Sequence, residues 1–221
     1  MSPYTGKVRP GGPADVRELE RLVIRKVSVG PQDNNAYLLT CRASGAQLLI
    51  DAADDAPRLS ALLGEGTGGL DVVVTTHQHW DHHRALGQVV ERTGARTAAG
   101  SADAQGLPVP VDQPLEHGDE VRFGQVTLEV AHLRGHTPGS VALVYRDPAG
   151  SAHAFTGDSL FPGGVGNTDN DPHRFAALIE DVEHRLFDVL PDQTWVYPGH
   201  GADTQLGTER PQLAAWRARG W

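Results

Sequence analysis

Residues 71–83, Asp71-Val-Val-Val-Thr-Thr-His77-Gln-His79-Trp80-Asp81-His82-His83, constrain this chain more than any other stretch. Val72 to Val74 is a run of β-branched apolar residues, the pattern of a buried strand. Between His77 and His82 only Gln78 carries neither a ring nor a carboxylate. His77 and His79 are two apart, so in extended backbone both imidazoles point to one side. The amphipathic stretch Arg84 to Thr93 follows and predicts a helix. The cluster therefore sits on a strand-to-helix loop, a common place for catalytic groups. Neutral imidazole and carboxylate are ligands for zinc and similar divalent ions. Asp81 alone reads equally well as a helix cap; the histidines around it do not. One loop cannot complete a tetrahedral site and also hold a reactive water. Further ligands must come from later in the chain.

Three later segments end apolar strands in glycine-rich turns, each with one ligand-type residue. They are Arg134-Gly135-His136-Thr137-Pro138-Gly139, Phe155-Thr156-Gly157-Asp158-Ser159 and Tyr197-Pro198-Gly199-His200-Gly201. Glycine beside a ligand lets backbone crowd close around an ion. Taken singly, a histidine in a turn is usually solvated and an aspartate after a strand is usually a cap. Taken with the loop at 77–82, they supply the missing donors.

Composition narrows the function classes. The formal net charge is −9, and a nucleic-acid binder needs a basic face, so neither nucleic acid nor an anionic membrane is an expected partner. A small-molecule substrate is. The one cysteine, Cys41, excludes an internal disulfide and, in an apolar strand, reads as a buried inert thiol. Residues 1–20 show no apolar signal core, and no run of about 18 apolar residues is present. The expectation is a cytoplasmic protein; its oligomeric state is not legible.

Residues 1–16, rich in Gly, Pro and charge, are expected as a loose arm on a single domain spanning 1–221. Strands are predicted at Leu22 to Val29, Ala36 to Cys41, Gln47 to Ile50, Arg96 to Ala99, Val121 to Phe123, Val126 to His132, Ser140 to Tyr145, Ala152 to Thr156 and Trp195 to Tyr197. Asp33-Asn34-Asn35 reads as a turn. Helices are predicted at Asp55 to Leu63, Phe175 to Phe187 and Glu209 to Arg217, the second with Phe175, Leu178, Ile179, Val182 and Leu186 at 3–4 spacing. This order predicts two sheets packed face to face with helices outside. Trp80 reads as a packing residue, with a wall of the cleft as the alternative, and His117, His153, His173 and His184 as solvated. His83 reads equally as a helper of the metal loop or as helix surface.

The set His77-x-His79-x-Asp81-His82, Gly135-His136-Thr137, Gly157-Asp158 and Gly199-His200 resembles the metallo-β-lactamase-fold superfamily, and most of all its glyoxalase II-like hydrolases. The resemblance covers about residues 20–205. It implies an α/β (α+β) fold, a four-layer αββα sandwich of two mixed sheets with helices on both outer faces. It implies two divalent ions, zinc first, with iron or manganese as alternatives. One would be held by His77, His79 and His136, the other by Asp81, His82 and His200, with Asp158 bridging. Asp81 and Asp158 would be catalytic in orienting the attacking water. Asp51 matches the strand-end aspartate that steadies a ligand histidine. Gly164 and Asn167, in the loop after Asp158, are candidates for lining the substrate cleft.

The resemblance implies a dinuclear hydrolase of acyl thioesters. The alternatives are a lactone or β-lactam hydrolase on the same site, or a mononuclear-iron persulfide dioxygenase using His77, His136 and Asp158. Two departures shape the substrate. Only 21 residues follow His200, fewer than the helical region with which glyoxalase II holds glutathione. Where many relatives carry Gly-Arg-x-Asp, this chain has Gly166-Asn167-Thr168-Asp169, without the arginine that would anchor a carboxylate. Both point to a different substrate tail.

Overall fold

Apolar residues alternate along the strands between different cores. Leu48 and Ile50 face one and Leu49 another; Val72 and Val74 face the first and Val73 the second. Period-2 burial on both faces requires a layer on each side of the sheet.

The computed structural model describes residues 3–220. The first sheet holds β1 (Asp15–Glu18), β2 (Leu22–Val29), β3 (Asn34–Cys41), β4 (Gln47–Ile50), β5 (Val72–Thr75), β6 (Arg96–Gly100) and β7 (Gln113–Leu115), in that spatial order. It is antiparallel from β1 to β4 and parallel from β4 to β7. The later strands are β8 (Glu120–Phe123), β9 (Val126–His132), β10 (Val141–Arg146), β11 (Ala152–Gly157), β12 (Leu160–Phe161), β13 (Gly164–Val165), β14 (Trp195–Pro198) and β15 (Thr204–Gln205). The second sheet runs β15-β14-β11-β10-β9-β8, and β12 pairs with β13 as a separate hairpin. Helices α1 (Ala56–Glu65) and α2 (Leu86–Thr93) cover the outer face of the first sheet through Leu59, Leu62, Leu86 and Val89. Helix α3 (Pro172–Val182), the short α4 (Leu206–Glu209) and α5 (Leu213–Arg219) cover the second through Phe175, Leu178, Ile179, Leu206 and Trp216. Between the sheets lie Leu22, Ile24, Leu39, Val121, Leu143, Phe155 and Tyr197. This is the expected αββα sandwich of two mixed sheets.

Parallel pairing collects the ligand turns. β4 and β5 are parallel in the first sheet, β11 and β14 in the second, so each pair ends at the same sheet edge. Asp51, His77, Asp158 and His200 follow those ends. The sheets are joined there by the Val141 amide donating to the Thr76 carbonyl, 2.9 Å, and the Asn35 amide donating to the Gly199 carbonyl, 2.7 Å.

The structure departs from expectation at particular residues. Asn34 and Asn35 are strand, paired with Val29 and Ser28; the turn lies before them. The stretch expected as one helix from Glu209 is broken at Arg210–Gln212, where Pro211 lacks an amide hydrogen. Glu183–Phe187 continues α3 as a wider π turn. Within the stretch expected as an arm, Tyr4 bonds the Asp203 carboxylate at 2.5 Å, and the Thr5 and Gly6 amides donate to Asp15. His153 is buried, with Nδ1 2.8 Å from the Tyr197 hydroxyl, so it is not the solvated residue expected. Trp80 is 53% exposed, with the Arg84 guanidinium 4.9 Å from its ring centre, so it is not a packing residue. Cys41 is buried, as expected.

Phe155 stacks on Tyr197 at 4.7 Å and meets Tyr37 edge-on at 5.3 Å, with no exposure. Phe155→Ala should lower the unfolding free energy by about 3–5 kcal/mol. Urea unfolding of the metal-free chain measures this, and a loss under about 1 kcal/mol would contradict the packing described.

Candidate metal centre

The polar residues after the strand ends come together in one cluster. His77, His79 and His136 form one group, His77, His82 and Asp158 a second, and Asp81, His82 and His200 a third; within each, the donor atoms lie within 4.8 Å of one another. The rings of His77, His79 and His136 meet nearly edge to face, with centroids 4.5–4.9 Å apart. Asp158 stands between the groups, with Oδ2 3.7 Å from His136 Nε2 and 3.5 Å from His200 Nε2, and Oδ1 3.4 Å from His82 Nε2. Asp81 Oδ2 is 3.4 Å from His200 Nε2 and 3.6 Å from His82 Nε2. All seven residues singled out as ligands are therefore brought together.

Hydrogen bonds settle which nitrogen four of the five rings offer. His82 Nδ1 lies 2.9 Å from Asp51 Oδ2, and a carboxylate only accepts, so the hydrogen is on Nδ1. His136 Nδ1 donates to the Asn167 carbonyl, 2.8 Å, and His200 Nδ1 to the Gln32 carbonyl, 3.1 Å. For His77 the partner is the Thr76 hydroxyl at 3.0 Å. That hydroxyl donates its own hydrogen to Asp51 Oδ2, 2.9 Å, so its oxygen accepts from His77 Nδ1. Four imidazoles thus turn Nε2 toward the cluster, each able to offer a lone pair to an ion once any proton there is displaced. His77 Nε2, His136 Nε2 and Asp158 Oδ1 are buried without a hydrogen-bond partner. Buried acceptors left this way are costly, and a divalent cation answers all of them. The donor set, imidazole nitrogen and carboxylate oxygen, suits zinc, iron or manganese.

The electrostatics agree. Burial pulls the His82 imidazolium down, but the Asp51 and Asp158 carboxylates reverse this and hold it up at about 10. Burial also pulls His200 down, and its bond to Asp158 outweighs this and raises it. Burial and the neighbouring His82 charge push His77 well below the usual imidazole range, and burial lowers His136. Burial raises Asp158, but its bonds to His200 and His82 hold it well below the carboxylate range. The site favours positive charge between its carboxylates.

Backbone geometry makes room. A Cβ on Gly199 would lie 2.1 Å from Asp158 Oδ1 and 2.7 Å from His82 Cε1, so only glycine fits there. Asp51 takes a left-handed φ of 59°, a conformation found in few non-glycine residues. It also accepts the Thr76 amide at 2.8 Å, so it steadies both His82 and, through Thr76, His77.

Two residues were missed in the sequence. Asn34 Nδ2 donates to Asp81 Oδ2 at 2.9 Å and lies 3.4 Å from both His82 Nε2 and His200 Nε2; read as a turn, it carried no signal. Thr76 looked like a strand-end residue only. Of the cleft candidates, Asn167 reaches the cluster through its carbonyl, while its side-chain amide donates to Asp169 at 3.3 Å. Gly164 lies in β13, beside Arg219. His83 is buried with Nε2 3.0 Å from the Gln78 carbonyl, so it braces the metal loop and is not helix surface. Within the fold, no helix is long and apolar enough to cross a membrane among the described residues.

Comparison with known proteins agrees with the fold. Residues 29–200 match the Metallo-beta-lactamase superfamily, and the chain belongs to that family. It is similar to the hydroxyacylglutathione hydrolase of Fuscovulum blasticum, 39% identical over 170 residues, which cover 76% of this chain and 63% of that protein. The chain thus spans under two thirds of the length of such relatives. Among solved structures, TTHA1623 in a di-iron-bound form is 35% identical with a TM-score of 0.69, covering 84% of this chain and 96% of that one. ETHE1 from Myxococcus xanthus is 30% identical with a TM-score of 0.75, covering 87% and 84%.

Because His82 is held up at about 10, a proton occupies its Nε2 at neutral pH in the metal-free chain, and an ion must displace it. Zinc affinity should rise by about tenfold per pH unit across the neutral range. The same proton stabilises the metal-free fold below the ordinary imidazole pKa of about 6.5. That contribution is lost as pH rises through about 10. The Tm gap between zinc-loaded and metal-free protein should therefore widen from neutral to alkaline pH. A pH-independent affinity with no proton release on calorimetry would contradict this.

Proposed function

We propose that this chain is a metal-dependent hydrolase that holds two divalent ions and cleaves an acyl thioester. The observation that carries the reading is the set of four imidazoles whose Nδ1 hydrogens are all committed outward, leaving their Nε2 atoms facing two carboxylates. His77, His79 and His136 would hold one ion and Asp81, His82 and His200 the other, with Asp158 shared. The similarity to TTHA1623, a protein solved in a di-iron-bound form, supports the reading with two ions. Zinc is the first choice for this chain, with iron or manganese next.

When bound, the ions supply Lewis-acid activation of a water and of the substrate carbonyl. The chain supplies the rest. Asp81, fixed by Asn34, and Asp158 accept hydrogen bonds from the attacking water and aim its lone pair at the carbonyl carbon. Asp51 and Thr76 keep His82 and His77 in one tautomer, so the field at the carbonyl is set before substrate arrives. A thiol of pKa about 8.5 leaves as thiolate without a proton donor. The site therefore needs a base and an oxyanion partner but no dedicated acid. Similarity to hydroxyacylglutathione hydrolases supports the thioester class. Asn167, which stands where relatives carry arginine, argues for a thiol other than glutathione.

The persulfide dioxygenase alternative needs only His77, His136 and Asp158. The second half-site counts against it. His82, His200 and Asp81 are each held by a dedicated partner, Asp51, Gln32 and Asn34, which a mononuclear enzyme would not require.

The metal-loaded protein should hydrolyse an S-hydroxyacyl thiol without oxygen uptake. Its kcat/KM should rise with pH through an apparent pKa of about 7. Asp158→Ala should lower kcat by at least about a hundredfold, while His83→Ala should cost under about tenfold. Turnover of lactones or β-lactams with no thioester activity would overturn the substrate class alone. Oxygen consumption with a persulfide would overturn the hydrolytic mechanism.

The second expected outcome concerns Asn34. Asn34→Ala removes the amide that fixes Asp81, and should lower kcat more than it raises KM, by about 10–100-fold. A change confined to KM would place Asn34 in substrate binding instead.

A further inference from the structure

Asp103 belongs to no ligand motif and lies far from the histidine loop in sequence, yet its side chain touches two of the ligand loops. It follows β6, at the start of a tight turn, Ala104–Gly106, and is buried. Oδ2 accepts from the Gln78 amide at 2.9 Å and from the Thr137 hydroxyl at 2.5 Å. Oδ1 accepts from the Gly139 amide at 2.7 Å. Gln78 lies between His77 and His79; Thr137 directly follows His136. Both carboxylate oxygens are thus spent on backbone and hydroxyl donors that flank the three histidines of one half-site. The Thr137 hydroxyl also lies 2.5 Å from Ser140 Oγ, which extends the tie across the turn.

Packing around Asp103 is built to match. A Cβ on Gly139 would lie 2.4 Å from the Asp103 amide nitrogen and 2.8 Å from its Cβ, and one on Gly106 would lie 2.3 Å from Gln78 Oε1. Bare backbone at both positions lets the 103–106 turn wedge between the two loops. By contrast, no contact from Asp103 reaches Asp81, His82 or His200, whose partners are Asn34, Asp51 and Gln32.

We infer that Asp103 is a positioning residue for the His77–His79–His136 half of the centre, spacing the first histidine loop against the second so that the three rings converge. This rests on the two-ion reading above. An asparagine cannot replace it, because its amide NH2 would face the Gly139 amide in one orientation, or the Gln78 amide in the other, and donor would meet donor.

The test separates the two half-sites. In a His200→Ala background, which keeps the first half-site, Asp103→Asn should weaken zinc binding by about 10–100-fold, read by competition with a chelating dye. In a His79→Ala background, which keeps the second, it should leave zinc affinity within about threefold. Thr137→Val removes one of the three bonds with little change of shape; it should act in the same direction but less, and Thr137→Ser should restore the wild-type value. These threonine variants carry the test if Asp103→Asn does not fold. Unchanged affinity in the first background, or equal loss in both, would overturn the inference, the latter because it marks general loosening. If the parent chain binds a single zinc, the two-ion reading fails separately. Asp103 then stands if that ion is lost with His79→Ala and weakened by Asp103→Asn, and falls otherwise.

Discussion

Bare nitrogen lone pairs and carboxylate oxygens, held a few ångströms apart inside a protein edge, set the terms for this structure. His82 Nε2 and His200 Nε2 are 3.2 Å apart, each with its other nitrogen already bonded outward. Two such lone pairs repel unless something positive lies between them. A proton can serve one pair, and the raised His82 expresses that. It cannot satisfy His77, His136 and Asp158 at the same time. The arrangement is stable as a cation site and costly as anything else.

The sandwich holds those groups at one edge, with each Nε2 turned inward and each Nδ1 bonded outward. Parallel pairs β4–β5 and β11–β14 deliver four strand ends to one edge. The interior between the sheets, with Phe155, Tyr197 and Tyr37 in mutual contact, fixes the distance between them. Outward bonds to Asp51, Asn167, Gln32 and Thr76 then hold His82, His136, His200 and His77 in one tautomer. Because the ligands hang on turns and loops beyond the strand ends, small errors in packing would reach the site undamped. The buried ties at Asp51 and Asp103 limit that.

Much of the centre was legible in the sequence, because ligand chemistry uses few residue types. Histidine and aspartate beside glycine, at strand ends, announce themselves at positions 77–82, 136, 158 and 200. The layer order was also legible, because strands fall before and between the helices; the structure adds that Leu48-Leu49-Ile50 and Val72-Val73-Val74 are buried on both faces. What stayed hidden were residues whose role depends on a partner distant in sequence. Asn34 looks like a turn former, and only pairing with Val29 puts its amide on Asp81. His153 looks like any polar strand residue until β14 brings Tyr197 against it. Trp80 was misjudged for the opposite reason. Its size suggests a core, but the tight turn at Trp80–His82 directs it outward. Pro211, by contrast, was visible and should have broken the closing helix.

The central claim is that this edge is a two-ion centre with Asp158 between the ions. The most direct test is a crystal structure of the zinc-loaded chain with anomalous scattering recorded at the zinc edge. The account predicts two peaks, one on His77, His79 and His136 and one on Asp81, His82 and His200, with Asp158 contacting both. A single peak, or peaks away from this cluster, would contradict it.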